Sequence, residues 1–600
     1  MTNLDLAIIL AYLVLMLGIG LHYRRYARQG LENFFLAGRN IPGWLNGISY
    51  AAAMVSADAA TAYGGLAAVT GVFVCWWYLS RFGLALFVGA VLFAVFWRRL
   101  GLFTSMEFYE LRFAGRAAAL MRGWIAFRTS FVAMAAWTGI TLLAAAKILG
   151  PTLGLTTTQS MLLIVPVSFA YVFLSGYKGV VVSNFIQMII FVGGAGYLAL
   201  RTLFHFGGPN QLASRLSQLE AGPQVMSLVP PVDHAVFPLA AALAWLAGQT
   251  IGYGGDAAPM GGAMEGQRIL SSRSPRAAVI MYVVAALTLF TCVLLVSLPC
   301  IAAPLQWPSL LEPSADRELA YGLLMRELLP PGAMGLVAAA MLAGVMSTVG
   351  DNLNFGSQVM VNDIYRRWMA RGRSEQHYLI AGKVCMLIIL LLSLTVVYST
   401  HFIFDVAVFM LQLSSAELPA NWAQWWWWRF NGRARLAASF GGGIIFCGVV
   451  LGPKALTGAG YEWANALVLP WWYQTFLVMA LTTCLWVSVA LLTKPDPPDV
   501  LDRFYRRAQP LGAWRTVRAR LTEHNSSRRS KEGSADWGVI VQGFALACCG
   551  ALAAALFILG ISSLFVALSS KGLLFLTAAG LLFALFLGFS GRYLDCLEGM

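Results

Sequence analysis

The stretch Leu342–Arg366, LAGVMSTVGDNLNFGSQVMVNDIYR, decides how this chain is read. It leaves an apolar run, Gly335–Met346, and places Ser347, Thr348, Asp351, Asn352 and Asn354 within about two helical turns. A helix in hydrocarbon carries that many polar side chains only where they face protein, water or an ion. Ser347 and Thr348 present hydroxyl oxygens side by side, and Gly344 lies about one turn earlier, where its carbonyl can join them. Oxygen-only ligation suits a hard cation. The plainer alternative is that both hydroxyls join neighbouring helices, as serine and threonine do in membrane bundles.

The composition sets this helix in a membrane. Of the 600 residues, 59% are hydrophobic and only 11% charged, with a mean hydropathy of +0.71. A water-soluble chain of this size needs far more charge. The net charge of +14 raises nucleic-acid binding as a class. The basic residues, however, sit in short runs between apolar segments, which is a topology signal. Nine cysteines are scattered without the spacing of a zinc site or a disulfide framework. Asp5 precedes the first apolar segment and Arg24, Arg25 and Arg28 follow it. That order reverses a signal peptide, so an uncleaved helix with its N-terminus outside is expected.

Segments long enough to span a bilayer lie near 5–23, 43–67, 70–98, 123–148, 159–175, 179–203, 236–262 and 277–303. Others lie near 332–357, 377–400, 403–428, 434–453, 470–492, 537–563 and 571–591, about fifteen at roughly 20 residues each. Starting outside, the basic loops 24–39, 98–122, 268–276, 366–373, 429–435 and 493–535 all fall on the cytoplasmic side. The arginine-rich 493–535 stretch reads as a solvated cytoplasmic linker, with anionic lipid contact secondary. Trp425–Trp428, followed by Arg429, reads as an aromatic belt at the cytoplasmic boundary.

Two spans look broken. The second, WLNGISYAAAMVSADAATAYGGLAAVTG, is small and polar through its middle; the seventh, LAWLAGQTIGYGGDAAPMGGAMEG, carries Gly248, Gly252, Gly254, Gly255 and Pro259. Unwound helices at matching positions of two five-helix halves point to a transporter's midplane site, and these two lie five spans apart. The expected breaks are near Val55–Asp58 and Gly252–Asp256. Asp58, Arg81, Asp256, Asp351 and Glu417 are the ionisable residues within spans. Each is a functional candidate or half of an internal ion pair, Asp58 with Arg81 being one such pairing. The Arg81 guanidinium stays protonated, so it must snorkel, pair with a carboxylate or meet an anionic ligand.

With these segments in order, the chain resembles the sodium:solute symporter family, relatives of the sodium/glucose and sodium/proline transporters. The resemblance runs over roughly 1–495 and rests on NFFLAGRNIPGW (Asn33–Trp44), AAAMVSAD in the broken span, LGLFTSMEFYELRF (Leu100–Phe113) and GYKGVVVSNFIQ (Gly176–Gln187). QRILSSRSPRAA (Gln267–Ala278) and MSTVGDNLN followed by NDIYRR complete it. It implies an all-α polytopic membrane protein with a LeuT-type five-plus-five inverted repeat, one extra N-terminal helix and about four extra C-terminal helices. The domains would then be 1–30 as the extra helix, 31–430 as the ten-helix core (repeats about 40–203 and 236–430) and 431–495 as additional helices. Residues 496–535 would be a basic linker and 536–600 a C-terminal hairpin.

The resemblance also implies a sodium site made by the carbonyls of Ala52, Val55 and Gly344 with the hydroxyls of Ser347 and Thr348. Solute contacts would come from Asp58, Tyr78, Arg81, Tyr253 and Gln412. Many relatives carry an acid where Asn184 stands, which speaks against a second cation role. The sugar transporters' Gln and Glu are replaced by Ala59 and Tyr78, which speaks against a hexose.

The function expected is sodium-coupled symport of a small organic solute, one bearing a carboxylate if Arg81 faces the cavity. Sodium is the coupling ion, the bilayer the surroundings, and neither nucleic acid nor an obligate protein partner is called for. A membrane solute sensor on the same fold is the alternative. Catalysis is not expected, since no nucleophile–base pair or intramembrane metal set is visible. The setting expected is a plasma membrane, as of a bacterial inner membrane, with the C-terminus cytoplasmic.

Overall fold

Hydrocarbon tolerates only backbone whose hydrogen bonds close internally, and the chain answers with helices almost throughout. The computed structural model describes residues 2–27, 30–252, 265–312, 315–523 and 535–599. Among them, eleven helices are long and apolar enough to cross a membrane, twelve if the bent pair Ile403–Ser415 and Leu418–Trp426 counts as one span. The sequence suggested about fifteen. The difference lies in interrupted spans: the apolar helices Thr157–Ala170 and Leu239–Gly252 are short by themselves, and the second and third expected spans together give one qualifying helix, Ala57–Tyr78.

In chain order, α1 (Asn3–Ala27) precedes α2 (Gly43–Met54) and α3 (Ala57–Thr70), the halves of the second span. The third span, α4, covers 75–99, and α5 is Gly115–Leu153. Two further spans, α6 (157–175) and α7 (Gly176–His205), meet at Gly176, whose φ of 59° only glycine adopts readily. The seventh span comprises α8 (Leu239–Gly252) and α9 (Glu265–Ser271). Then come α10 (Pro275–Leu305), α11 (Ala333–Met369), α12 (Glu375–Ser399), α13 (Ile403–Ser415) and α14 (Leu418–Trp426). Beyond the expected core lie α15 (Gly432–Gly458), α16 (Trp471–Leu492), α17 (Pro498–Ala508) and α18 (Arg515–Glu523). The hairpin α19 (Trp537–Phe565) and α20 (Ser569–Glu598) ends the described chain.

Small residues decide how closely these helices cross. Gly43 and Gly47, four apart on α2, lie against the backbone of α10 at Ala277 and Met281, where an added Cβ would collide. Helix α7 runs along α11, α1 covers both, and α5 packs on α12. In the hairpin, α19 lies along α4, with Gly543 against Leu92 and Gly550 against the Phe87 ring.

The stretch expected to be a solvated linker is in large part docked. One face of α17 carries Val500, Leu501, Phe504 and Ala508, all buried, while its arginines take the other face. Its socket is Arg112, wholly buried at the end of the short helix Phe108–Arg112 before α5. The guanidinium lies 5.0 Å from the Phe113 ring centre, 5.4 Å from Phe504 and 4.9 Å from Trp514. It also donates to the carbonyls of Gln424 at 2.7 Å and Phe430 at 2.9 Å. Burial pushes this guanidinium down to about 10, which leaves it charged at neutral pH. Asp496 caps the same junction, accepting the N–H groups of Ala114 and Gly432, each at 3.1 Å.

Trp425, expected in an interfacial belt, is 1% exposed and packs among Trp97, Phe108 and Phe504 instead. Its carbonyl accepts the Trp514 indole N–H at 2.7 Å. Trp514→Ala is therefore expected to cost about 3–5 kcal/mol and to open 496–523 to limited proteolysis in detergent. Wild-type protease resistance in the variant would contradict this docking.

Candidate functional site

The second span breaks where its sequence is weakest as a helix. Val55 (φ −120°, ψ 105°) and Ser56 (φ −133°, ψ −159°) are extended between α2 and α3. Ser56 caps the new helix, its Oγ accepting the Asp58 N–H, and its hydroxyl donates to the Asp58 carboxylate. A helix that stops here leaves its last carbonyls without intrahelical donors, in a region where water is scarce. The expected break near Val55–Asp58 is thus present. Its counterpart near Gly252–Asp256 falls mostly outside the described residues, as does Tyr253; α8 is described to Gly252 and α9 from Glu265.

Helix α11 meets the break with its polar stripe. Gly344 lies so close to Ser56 that an added Cβ would stand 2.8 Å from the Ser56 Cα. Thr348 Oγ1 donates to the Ala53 carbonyl at 2.9 Å. Ser347 Oγ donates to Asn184 Oδ1 on α7 at 2.9 Å. Ala52, Val55, Ser347 and Thr348 are all buried. The Thr348 hydroxyl thereby faces a carbonyl at the end of an interrupted helix, that of Ala53, while the Ser347 hydroxyl faces Asn184; neutral oxygens of these kinds fit sodium. Serine and threonine also join helices here, so the plainer reading of this stripe describes the same contacts.

A buried ion pair backs the stripe. Asp351, one turn past Ser347, is held by Arg268 of α9 at 2.7 Å, both side chains being fully buried. Asn184 ties this pair to the hydroxyls: its Nδ2 donates to Asp351 at 2.8 Å and to Ser49 Oγ at 2.9 Å while its Oδ1 takes the Ser347 proton. The guanidinium also lies over the rings of Tyr50 and Tyr177. Sequence reading placed Arg268 at the start of a basic loop. The signal that was available is the unbroken apolar helix ahead of Asp351, which demands a cation from somewhere.

The remaining candidates disperse. Tyr78 is fully buried, with its ring near Tyr63 and its hydroxyl 3.4 Å from Ser297 Oγ of α10. Its neighbour Trp77 stacks on Trp245 of α8, with ring centres 3.8 Å apart. Gln412 donates to Gln474 of α16 at 2.6 Å. Arg81 lies on α4, but its side chain is outside the described ones, and Asp256 is outside the described residues. Glu417 sits at the 43° bend between α13 and α14. There it takes Arg128 at 2.6 Å, Arg435 at 2.8 Å and the Ser439 hydroxyl at 2.6 Å, joining α5 to α15.

Removing one partner of a buried pair strands the other's charge. Arg268→Gln is expected to lower stability by about 3–5 kcal/mol, read as thermal unfolding in detergent, and Asp351→Asn added to it should recover much of the loss. Gly344→Val should wedge α11 away from Ser56 and reduce folded yield. A Gly344→Val protein with wild-type yield and melting temperature would mean that the two helices do not meet this closely.

The human sodium/iodide cotransporter is 26% identical over 414 residues, 65% of this chain and 61% of that protein. The chain thus aligns to about three fifths of that relative. The Vibrio parahaemolyticus sodium/glucose cotransporter is 24% identical over 411 residues, 65% of this chain and 74% of its own. Among solved structures, a substrate-bound, outward-open Na+-coupled sialic acid symporter superposes with a TM-score of 0.65 at 18% identity, covering 83% of this chain and 99% of that one. That likeness establishes a LeuT-type helical fold. Residues 34–442 match the profile of the Sodium:solute symporter family. With a broken span facing a polar helix and that match across most of its length, the chain belongs to the sodium:solute symporter family.

Proposed function

We propose that this protein is a sodium-coupled secondary active symporter that imports a small organic solute by alternating access. The observation that carries the reading is the meeting of the α2–α3 break with Gly344, Ser347 and Thr348. Sodium would be held by the carbonyls of Ala52, Val55 and Gly344 and the hydroxyls of Ser347 and Thr348. The membrane potential then supplies about 2.3 kcal/mol per charge per 100 mV to each inward cycle. Family membership and a sodium-coupled structural neighbour support this class over a solute sensor. The charge of the loops supports an N-terminus outside with α17 and α18 cytoplasmic, and a bacterial inner membrane is proposed as the setting.

A solute bearing a carboxylate is the finer proposal. Arg81 lies on the span that carries Tyr78, and one of the relatives is named for an anion, iodide. The domain division proposed is the ten-helix core 31–430 flanked by the extra helix 1–30 and the C-terminal segments from 431. Solute contacts at Asp58, Tyr78, Arg81, Tyr253 and Gln412 belong to the same proposal.

Two tests follow. Ser347→Ala or Thr348→Ala deletes one of about five oxygen ligands, so each is expected to weaken sodium dependence of uptake by roughly tenfold or more while the protein stays folded. Unchanged sodium affinity in both returns the hydroxyls to joining helices. For the solute, organic acids should compete for uptake in the wild type and cease to compete in Arg81→Gln. If Asp58→Asn restores what Arg81→Gln loses, the two form an internal pair and the solute's charge is not set there.

A further inference from the structure

Along α11, one turn past Thr348 toward the arginine-rich end, Asn352 is fully buried and neither of its amide atoms has a hydrogen-bond partner among the described residues. Its neighbours behave differently: Ser347, Thr348 and Asp351 are each engaged. Four residues of helix separate Thr348 from Asn352, about 6 Å of rise along the same stripe. A buried amide with no partner is destabilising, and an apolar residue of the same shape would avoid that cost.

A second such group lies across the helix interface. Helices α5 and α11 run antiparallel, as Arg122 with Asp363 and Ser130 with Gly356 show. Gly356 also lies against Met134. This register brings Thr138 to the level of the turn between Thr348 and Asn352, on the stripe of α5 that begins with Ser130 and Met134. Thr138 is likewise fully buried, and its hydroxyl has no partner among the described residues. Two unpaired oxygen-bearing side chains on facing helices thus occur just beyond the proposed cation site.

We propose that Asn352 and Thr138 form a transfer station for sodium, a transient oxygen site that the ion occupies while passing between the Ser347–Thr348 site and the side bearing Arg366. The inference rests on the sodium reading above. An ion leaving a five-oxygen site must exchange protein oxygens for water one at a time, and hydrocarbon walls offer no substitute. An amide oxygen and a hydroxyl about one turn along supply intermediate ligands. Two buried polar groups kept in place of apolar ones forgo stability, as residues retained for function do.

The station sets how fast sodium exchanges, not how tightly it is held. The test is 22Na+ binding to the purified full-length protein, with equilibrium affinity and dissociation rate measured separately, alongside thermal unfolding. Asn352→Leu is expected to leave affinity within about twofold, to slow association and dissociation alike by about tenfold, and to leave the melting temperature unchanged or raised. Asn352→Ser, which keeps an oxygen, should recover much of the rate. Thr138→Val, nearly isosteric, should slow exchange in the same way and provides the test should the leucine variant fail to fold. A large loss of affinity in either variant would make the residue an equilibrium ligand and overturn the station. Unaltered rates in both variants would overturn it as well. A wild-type protein that retains no 22Na+, with Ser347→Ala indistinguishable from it, would overturn the sodium reading itself and this inference with it.

Discussion

A helix that stops in the middle of a bilayer strands its final carbonyls where no water replaces the missing donors. The α2–α3 break imposes that condition, and what surrounds it serves to meet it. Thr348 gives its proton to the Ala53 carbonyl, Ser56 caps the helix that resumes, and Gly344 brings the facing backbone close. The same stranded oxygens that would burden a structural helix are the ones the proposed sodium site would use. A symporter needs this ambivalence, because a site that a hydroxyl can satisfy in one state and an ion in another is easily switched.

Behind the break, the Arg268–Asp351 pair joins the second half of the seventh span, α9, to α11 through fully buried charges. Such a pair adds little stability over well-packed apolar residues, but loss of either partner strands the other's buried charge. Asn184 carries that order to Ser347, so the orientation of a proposed sodium ligand depends on a guanidinium from α9, relayed through α7. A neutral amide at Asn184 leaves Asp351 as the carboxylate of this cluster, already met by a cation of the protein's own. The Glu417 cluster repeats the device at the far end, where two guanidiniums on one carboxylate hold the bend between α13 and α14.

The C-terminal segments are tied to the core at two depths. Within the membrane, α19 lies on α4 through Gly543 and Gly550; beyond it, Arg112 is enclosed by rings from α17 and the segment that leads into α18. Both attachments reach α4 or the loop that follows it, the stretch that connects Tyr78 and Arg81 to the fourth span. The apolar face of α17 explains why these residues dock: Phe504 and Leu501 cannot remain in water when the Trp425 cluster is within reach.

Hydropathy, loop charge and the placement of small and polar residues determined, without coordinates, that this is a polytopic helical membrane protein broken in its second span and polar at Ser347–Asn354. Those features are local, and local physics governs them: hydrocarbon demands closed hydrogen bonds, and a polar run in a span demands a reason. The motifs from Asn33 to Arg367 carried the family as well. What lay beyond the sequence was every pairing between distant helices. Arg268, Arg112 and Arg435 read as loop charges because each flanks an apolar segment, yet each is fully buried against a partner more than a hundred residues away or on another element. Trp425 read as a belt residue for the same reason. Composition records how much charge and aromatic surface a chain holds, but only the folded arrangement settles which of it finds a partner, because desolvation is offset by contacts that the chain brings together from far apart.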